Sequence, residues 1–166
     1  KPIIYVCNVD EDSLINGNKH SEQVETYSNE KNLDCMKISA KIESEISSFK
    51  LESEKTEFLE SLGLRETSLS RLISKGYEIL DLITFFTSGP KESKAWSIKK
   101  GTFAPDAGAK IHTDFKTGFI KAEVISYEDF VKFNGEAKCK ENGRLKLEGK
   151  EYIVNDGDVI TFRFNV

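Results

Sequence analysis

Asn8-Val9-Asp10-Glu11 places an amide and a carboxylate three residues apart, directly after the apolar run Ile3-Ile4-Tyr5-Val6-Cys7. An Asn amide both donates and accepts, which matches the edge of a purine ring; a carboxylate accepts from an exocyclic amine or a ring N–H. Ser39-Ala40 ends a second apolar run and would bring small side chains and backbone N–H groups to the same base. In isolation a four-residue pattern of this kind is weak, and Asp10, Glu11 and Asp12 read equally as solvated turn residues.

Other chemistry-bearing residues are less organised. His112-Thr113-Asp114 offers a carboxylate beside an imidazole, but geometry rather than adjacency defines a triad and no nucleophile can be named. It reads as a helix-end or packing cluster. Cys7, Cys35 and Cys139 lack metal-ligand spacing, and His20 and His112 are far apart in sequence, so no zinc site is expected. The cysteines read as reduced, buried thiols, with Cys7 and Cys35 on neighbouring strands. Lys91, Lys94, Lys99, Lys100, Lys110, Lys116 and Lys121 are candidates for RNA contact, because phosphate contacts need only exposed positive charge. Interspersed acids make a plain solvated surface the competing reading. Trp96, Phe103, Phe115 and Phe119 offer stacking faces, or simply core.

Several elements must position these groups. Residues 2–7 read as a strand, 20–31 as a polar helix with Val24 and Tyr27 at helical spacing, and 33–40 as a second strand ending in Ser-Ala. Strand, helix, strand is the unit of a parallel sheet, and both strands would deliver their ends to one ligand-binding edge. Residues 41–81 read as helical, with Ile42/Ile46, then Phe58, Leu59 and Leu62 before Gly63. Leu69, Leu72, Ile73, Tyr77 and Leu80 follow at 3.6-residue spacing, with Thr67 or Ser68 as N-cap. From Leu82 the pattern changes to a β-hairpin broken at Ser88-Gly89-Pro90, a short helix over 106–117, a strand in 118–126, and a helical turn in 127–133. Closing strands follow, around the turn signal Asn155-Asp156-Gly157-Asp158. Ile160, Phe162 and Phe164 face one way, Thr161 and Arg163 the other. Hairpin, helix and further strands is the order of a β-grasp.

The chain has 166 residues, 38% hydrophobic and 31% charged, a globular balance. No apolar run is long enough to span a bilayer, so no membrane partner is expected. The net charge of −4 divides into −6 over residues 1–82 and +2 over residues 83–166. That asymmetry points to two modules with different partners, and the basic surplus is too small to establish nucleic-acid binding.

Longer blocks carry a more specific signal. "KPIIYVCNVDED", "ISAKIESEI", "EFLESLGL", "SRLISKGYEILDLITFFTSGPKESKAW", "IHTDFKTGFIKAEVISYEDF" and "GKEYIVNDGDVITFRFNV" resemble the C-terminal part of the YchF/Obg-like ATPases, translation-factor-related P-loop NTPases. The resemblance runs from Lys1 to Val166. It implies an α/β chain: the parallel βαβ end of an OBG-type nucleotide-binding domain at 1–48, a helical connector at 49–81, and a ubiquitin-like β-grasp TGS domain at 82–166.

The resemblance also implies a site and partners. Most GTPases choose guanine with Asn-Lys-x-Asp; this family carries Asn-x-x-Glu, here Asn8-Val9-Asp10-Glu11, which goes with a preference for ATP over GTP. By similarity Asn8 touches the base edge, Val9 contributes backbone, Glu11 holds the loop or the base, and Ser39-Ala40 forms the second base-side motif. The Gly-rich loop ending Gly-Lys-Ser/Thr that cradles phosphates is not in the sequence. It would lie upstream of Lys1, with the Mg²⁺-holding acid and switch segments. ATP with Mg²⁺ is the cofactor expected of the complete protein, with no tight binding by this chain. The expected partners are the ribosome, through RNA or protein, and the N-terminal part of its own NTPase domain. A cytoplasmic monomer is expected. The alternative is a free-standing TGS-containing module that binds RNA, ribosome or protein without hydrolysis.

Overall fold

The structure is a computed structural model that describes residues 1–90 and 92–165. Lys91, one of the RNA-phosphate candidates, and Val166 lie outside the described residues. The chain divides into two units, Lys1–Ile79 and Leu80–Val166.

In the first unit, strands β1 (Ile4–Asn8) and β2 (Asp34–Ile38) pair in parallel, with Ile4 opposite Asp34 and Asn8 opposite Ile38. One more ladder bond, Val9 N–H to the Ile38 carbonyl at 2.9 Å, carries the pairing past the strand ends. Between them lie a short turn of helix, α1 (Ser13–Asn16), and the longer α2 (Lys19–Glu30). Asn18 starts α2: its Oδ1 accepts from the N–H groups of His20 and Ser21, and Ser21 Oγ accepts from the Asn18 N–H. This reciprocal cap satisfies donors that the first turn would leave orphaned. Gly17 precedes it at φ +79°, where a Cβ would lie 2.9 Å from Ser21 Oγ, so the turn into the helix requires glycine. The buried face of α2 carries Ser21 and Ser28 rather than bulky groups, while the edge of the Tyr27 ring meets Tyr5.

The second strand ends two residues earlier than its apolar pattern predicts. Ser39 is extended and Ala40 already begins helix α3 (Ala40–Ser48). The helical stretch that follows is three helices: α3, α4 (Glu52–Ser61) and α5 (Ser68–Ile79). The chain is extended at Phe49 and Leu51, and α4 closes with Leu64 N–H bonded back to the Leu59 carbonyl at 2.9 Å. Thr67 is the N-cap of α5, its Oγ1 accepting from Ser70 N–H at 3.0 Å. Leu14, Ile42 and Ile46 form a small core on which Phe58, Leu59, Leu62 and Leu64 pack.

The second unit is a mixed five-stranded sheet with β3 (Leu82–Ser88), β4 (Ser93–Lys99), β5 (Phe119–Ser126), β6 (Lys146–Glu148) and β7 (Asp158–Phe164) in the order β4-β3-β7-β5-β6. The terminal strand β7 is central, parallel to β3 and antiparallel to β5. The stretch that reads as one short helix is two, α6 (Ala104–Ile111) and α7 (Thr113–Thr117), divided at the extended His112. Ala104, Ala107, Phe85, Ala122, Ile160 and Phe162 make the buried core. Helix α8 (Tyr127–Lys132) is capped by Ser126, and α9 (Glu136–Glu141), which apolar spacing does not signal, buries Cys139. A Cβ on Gly118 would sit 1.8 Å from the Asn165 carbonyl oxygen, and Asn165 N–H bonds to the Gly118 carbonyl at 2.9 Å. Only glycine admits this closure.

Two polar clusters hold the second sheet. Asp158 is buried, and its Oδ2 accepts from Tyr152 Oη at 2.7 Å and from Asn155 N–H at 2.8 Å, closing the turn that leads into β7. Burial and this carboxylate push the Tyr152 hydroxyl well above its ordinary pKa. Replacing Asp158 with Ala should cost about 1–3 kcal/mol in urea unfolding, since it removes the buried acceptor of the partly buried Tyr152 hydroxyl and of the Asn155 N–H; a loss below about 0.5 kcal/mol would mean that water replaces the carboxylate. Across β5 and β7, Arg163 donates to Glu123 at 2.8 Å and holds that carboxyl below its ordinary range against the opposing effect of burial. A depressed carboxyl contributes stability above its unfolded pKa and loses it as pH falls through the folded value. Wild-type stability should therefore drop on acidification below about pH 4.5, whereas Glu123→Gln should be less stable at pH 7 and flatter through that window.

Candidate functional site

Parallel pairing brings the carboxyl ends of β1 and β2 to one edge, where α/β sheets take ligands. Asn8 is exposed at the end of β1, and its Oδ1 accepts a hydrogen bond from Ala40 N–H at 3.0 Å. Residues thirty-two positions apart in the chain are thus joined directly. The bond consumes one free N–H at the start of α3 and fixes the Asn8 amide. Its Nδ2 is left free to donate outward.

The rest of the loop is held by bonds of its own. Val9 N–H completes the ladder on Ile38. Asp10 Oδ1 accepts from Ser13 N–H at 2.9 Å and the Glu11 carbonyl accepts from Leu14 N–H at 3.1 Å, so the acids turn the chain into α1. The Glu11 and Asp12 side chains are exposed and make no hydrogen bond or ion pair among the described residues. Ser39 is 1% exposed, and its Oγ has no hydrogen-bond partner. A buried hydroxyl with no partner is uncommon and marks either strain or a place where an external group completes the bond.

A cavity of about 390 Å³ lies beside Asn8, lined also by Tyr5, Cys7, Asn18, His20 and Val24. Asn18 and His20 were missed as lining residues from sequence. The signal was available: the Asn18/Ser21 capping box sets the start of α2, and a helix between parallel strands starts beside the end of the first strand.

In the second unit the candidate residues do not converge. Lys94 places its Nζ 4.2 Å from the Trp96 ring centroid; Lys99 bonds to the Leu80 carbonyl; Lys116 pairs with Asp106 and Lys121 with Glu123. Lys100 and Lys110 are exposed. Two strands separate β4, which carries Lys94 and Lys99, from β5, which carries Lys121. Trp96 packs on the core and donates to Thr87 Oγ1; Phe119 is buried; Phe115 stacks on Phe164. Phe103 is 45% exposed. His112 accepts from Asp114 N–H through Nδ1 at 3.3 Å, which makes it the cap of α7. Among the described residues no cluster of three or more His, Cys, Asp or Glu is placed to hold a metal, and no helix is long and apolar enough to cross a membrane.

The unpartnered Ser39 hydroxyl generates a prediction. Ser39→Ala should leave thermal stability unchanged or raise it by about 1 kcal/mol, because it removes a buried polar group that has no partner. A loss above about 1 kcal/mol would mean that the hydroxyl is bonded in solution.

The YchF-GTPase_C family model, described as a protein of unknown function (DUF933), matches residues 82–165, just over half of the chain. The ribosome-binding ATPase YchF of Haemophilus influenzae is 50% identical over 166 residues, covering all of this chain and 45% of the relative. That of Bacillus subtilis is 48% identical over 168 residues, covering all of this chain and 46% of the relative. The chain therefore spans a little under half the length of the curated relatives it matches. The solved structure of the Schizosaccharomyces pombe YchF GTPase superposes with a TM-score of 0.82 at 32% identity, over 98% of this chain and 43% of that one. A GTP binding protein from Pyrococcus horikoshii OT3 shares the fold, with a TM-score of 0.63 at 16% identity, over 99% of this chain and 46% of that one. The matched family model, these identities and the superposition lead to one conclusion: the chain belongs to the YchF family.

Proposed function

We propose that this chain is the back portion of a ribosome-associated ATPase, in which Asn8, Val9, Glu11, Ser39 and Ala40 read adenine. The observation that carries this reading is the Asn8–Ala40 hydrogen bond, which locks two base-side motifs together at the sheet edge. The residues fit a purine chemically. Asn8 Nδ2 has no partner among the described residues and can donate to a ring nitrogen, and the Glu11 carboxylate is exposed to accept from an exocyclic amine; Ser39 is buried, so its contribution is to shape the turn that carries Ala40. Bound Mg²⁺–ATP would supply the phosphate chain and its neutralising cation; the phosphate-cradling loop is not in this sequence. The exposed Ile3, just before β1, and Val6 within it, at 52% and 40%, support a sheet that has further neighbours in a longer protein.

From Leu82 onward the chain acts as a β-grasp TGS module that contacts RNA or ribosomal protein. The strand order, with a central parallel β3/β7 pair and α6 packed on one face, supports that fold. The names of the relatives, ribosome-binding ATPases, support the partner.

Base reading without phosphate contacts gives weak binding and no phosphoryl transfer, since that chemistry relies on charge stabilisation at the γ-phosphate. Titrating the purified chain with ADP and with GDP should shift the backbone amide resonances of residues 8–11 and of Ser39 and Ala40, more for ADP. ATP hydrolysis should stay at background. Unmoved amides would sink the base-reading assignment; hydrolysis above background would sink the dependence on a phosphate loop outside this chain.

A further inference from the structure

Cys7 and Cys35 stand on adjacent strands with their sulfur atoms 4.0 Å apart. We propose that they form a two-thiolate site for a soft, closed-shell cation, with Cu(I) the ion such ligands select.

The geometry separates this from a disulfide. Cys35 lies opposite Tyr5, and Cys7 lies opposite Lys37, so the two cysteines are offset by two residues along parallel strands. With a rise of about 3.3 Å per residue and about 4.8 Å between strands, their Cα atoms are about 8 Å apart. That exceeds the roughly 7 Å limit beyond which a disulfide demands backbone movement. A bridging ion demands none. With metal–sulfur bonds of about 2.3 Å, a 4.0 Å sulfur separation corresponds to a sulfur–metal–sulfur angle of about 120°. Such an angle suits a low-coordinate soft ion, with one position left for solvent or a small thiol. A closed tetrahedral zinc site needs four protein ligands, and no cluster of even three is found among the described residues.

The surroundings suit the same ion. Both cysteines are partly exposed, Cys7 lining the cavity beside Asn8 and Cys35 a separate one beside Leu14 and Lys37, so solvent reaches each residue. Each thiol releases its proton to solvent as its sulfur–metal bond forms; the copper stays Cu(I) and no electron moves. The product carries one net negative charge. Lys37 lies near the pair but is itself ion-paired with Glu25 at 3.9 Å, so the charge is met mainly by solvent at the partly exposed sulfur atoms. Because each thiol gives up its proton on binding, affinity should fall as pH is lowered. Cys139 is fully buried, donates to the Asp129 carbonyl and lies in the other unit, so it serves as an internal control.

The test is an anaerobic titration of the reduced chain with Cu(I) against a competing copper chelator. One Cu(I) per chain is expected, with a thiolate-to-copper charge-transfer band in the ultraviolet. Cys7→Ser and Cys35→Ser should each lose at least tenfold in affinity, and Cys139→Ser should lose nothing. Alkylation of the wild-type chain, mapped by mass spectrometry, gives a readout that no variant's folding can confound: Cu(I) should protect Cys7 and Cys35 together. Retained binding in either strand variant, protection of only one of the two, or a loss of two hydrogens by mild oxidation that joins Cys7 to Cys35 in the native fold would overturn the proposal.

Discussion

The hydrogen bond from Ala40 N–H to Asn8 Oδ1 is a small interaction on which the local order of the first unit depends. It exists because β1 and β2 run parallel in a register that ends both strands together, Asn8 opposite Ile38. A one-residue slip would move every side chain of one strand to the other face and separate the amide from its partner. The register is supported from both sides. Helix α2 covers one face through the small Ser21 and Ser28, and on α5 Lys75 reaches Asp34 at the start of β2 at 2.9 Å. Glu43, one turn into α3, accepts from Ser68 N–H at 2.7 Å and thereby positions the start of α5. The strand ends, the α3 N-terminus and the later helix are therefore linked by a few directional bonds over a core of modest size.

The second unit relies on a different device. Its last strand fills the middle of the sheet, so the hairpin at one side and the β5/β6 pair at the other are joined within the sheet through β7. Phe162 of that strand meets Phe85, Phe115 and Phe119, and the Gly118–Asn165 closure secures its end. Most aromatic residues that could stack on bases are thereby used in packing. Several lysines are likewise engaged by carboxylates, a carbonyl or an aromatic face. Basic charge in this unit is distributed, which suits a broad electrostatic contact better than a formed groove.

The unusual groups of the first unit gather at a strand edge. Ser39 keeps an unpartnered hydroxyl, Glu11 keeps a free carboxylate, and Cys7 precedes Asn8 with its sulfur against Cys35. Departures from full polar satisfaction gather where a ligand would complete them.

Much of this was legible in the residue order. The apolar runs before Asn8 and around Met36 locate two strands, and period-3.6 spacing locates α5, with Thr67 or Ser68 as the expected cap and Thr67 the one observed. The alternation of Ile160, Phe162 and Phe164 locates the inner face of β7. Local sequence determines such features because propensity, capping and turn chemistry act over a few residues. Tertiary structure decided what depends on distant partners. It ended β2 at Ile38, where Ser39 turns to start α3, and divided the 106–117 helix at His112, whose imidazole accepts from Asp114. It placed α9, a short helix that buries little beyond Cys139 and so carries no periodic signal. It also set which lysines are paired and brought Cys7 against Cys35 across an offset register. These outcomes follow from strand register and close packing, which are properties of residues far apart in the chain and are written in no single stretch of it.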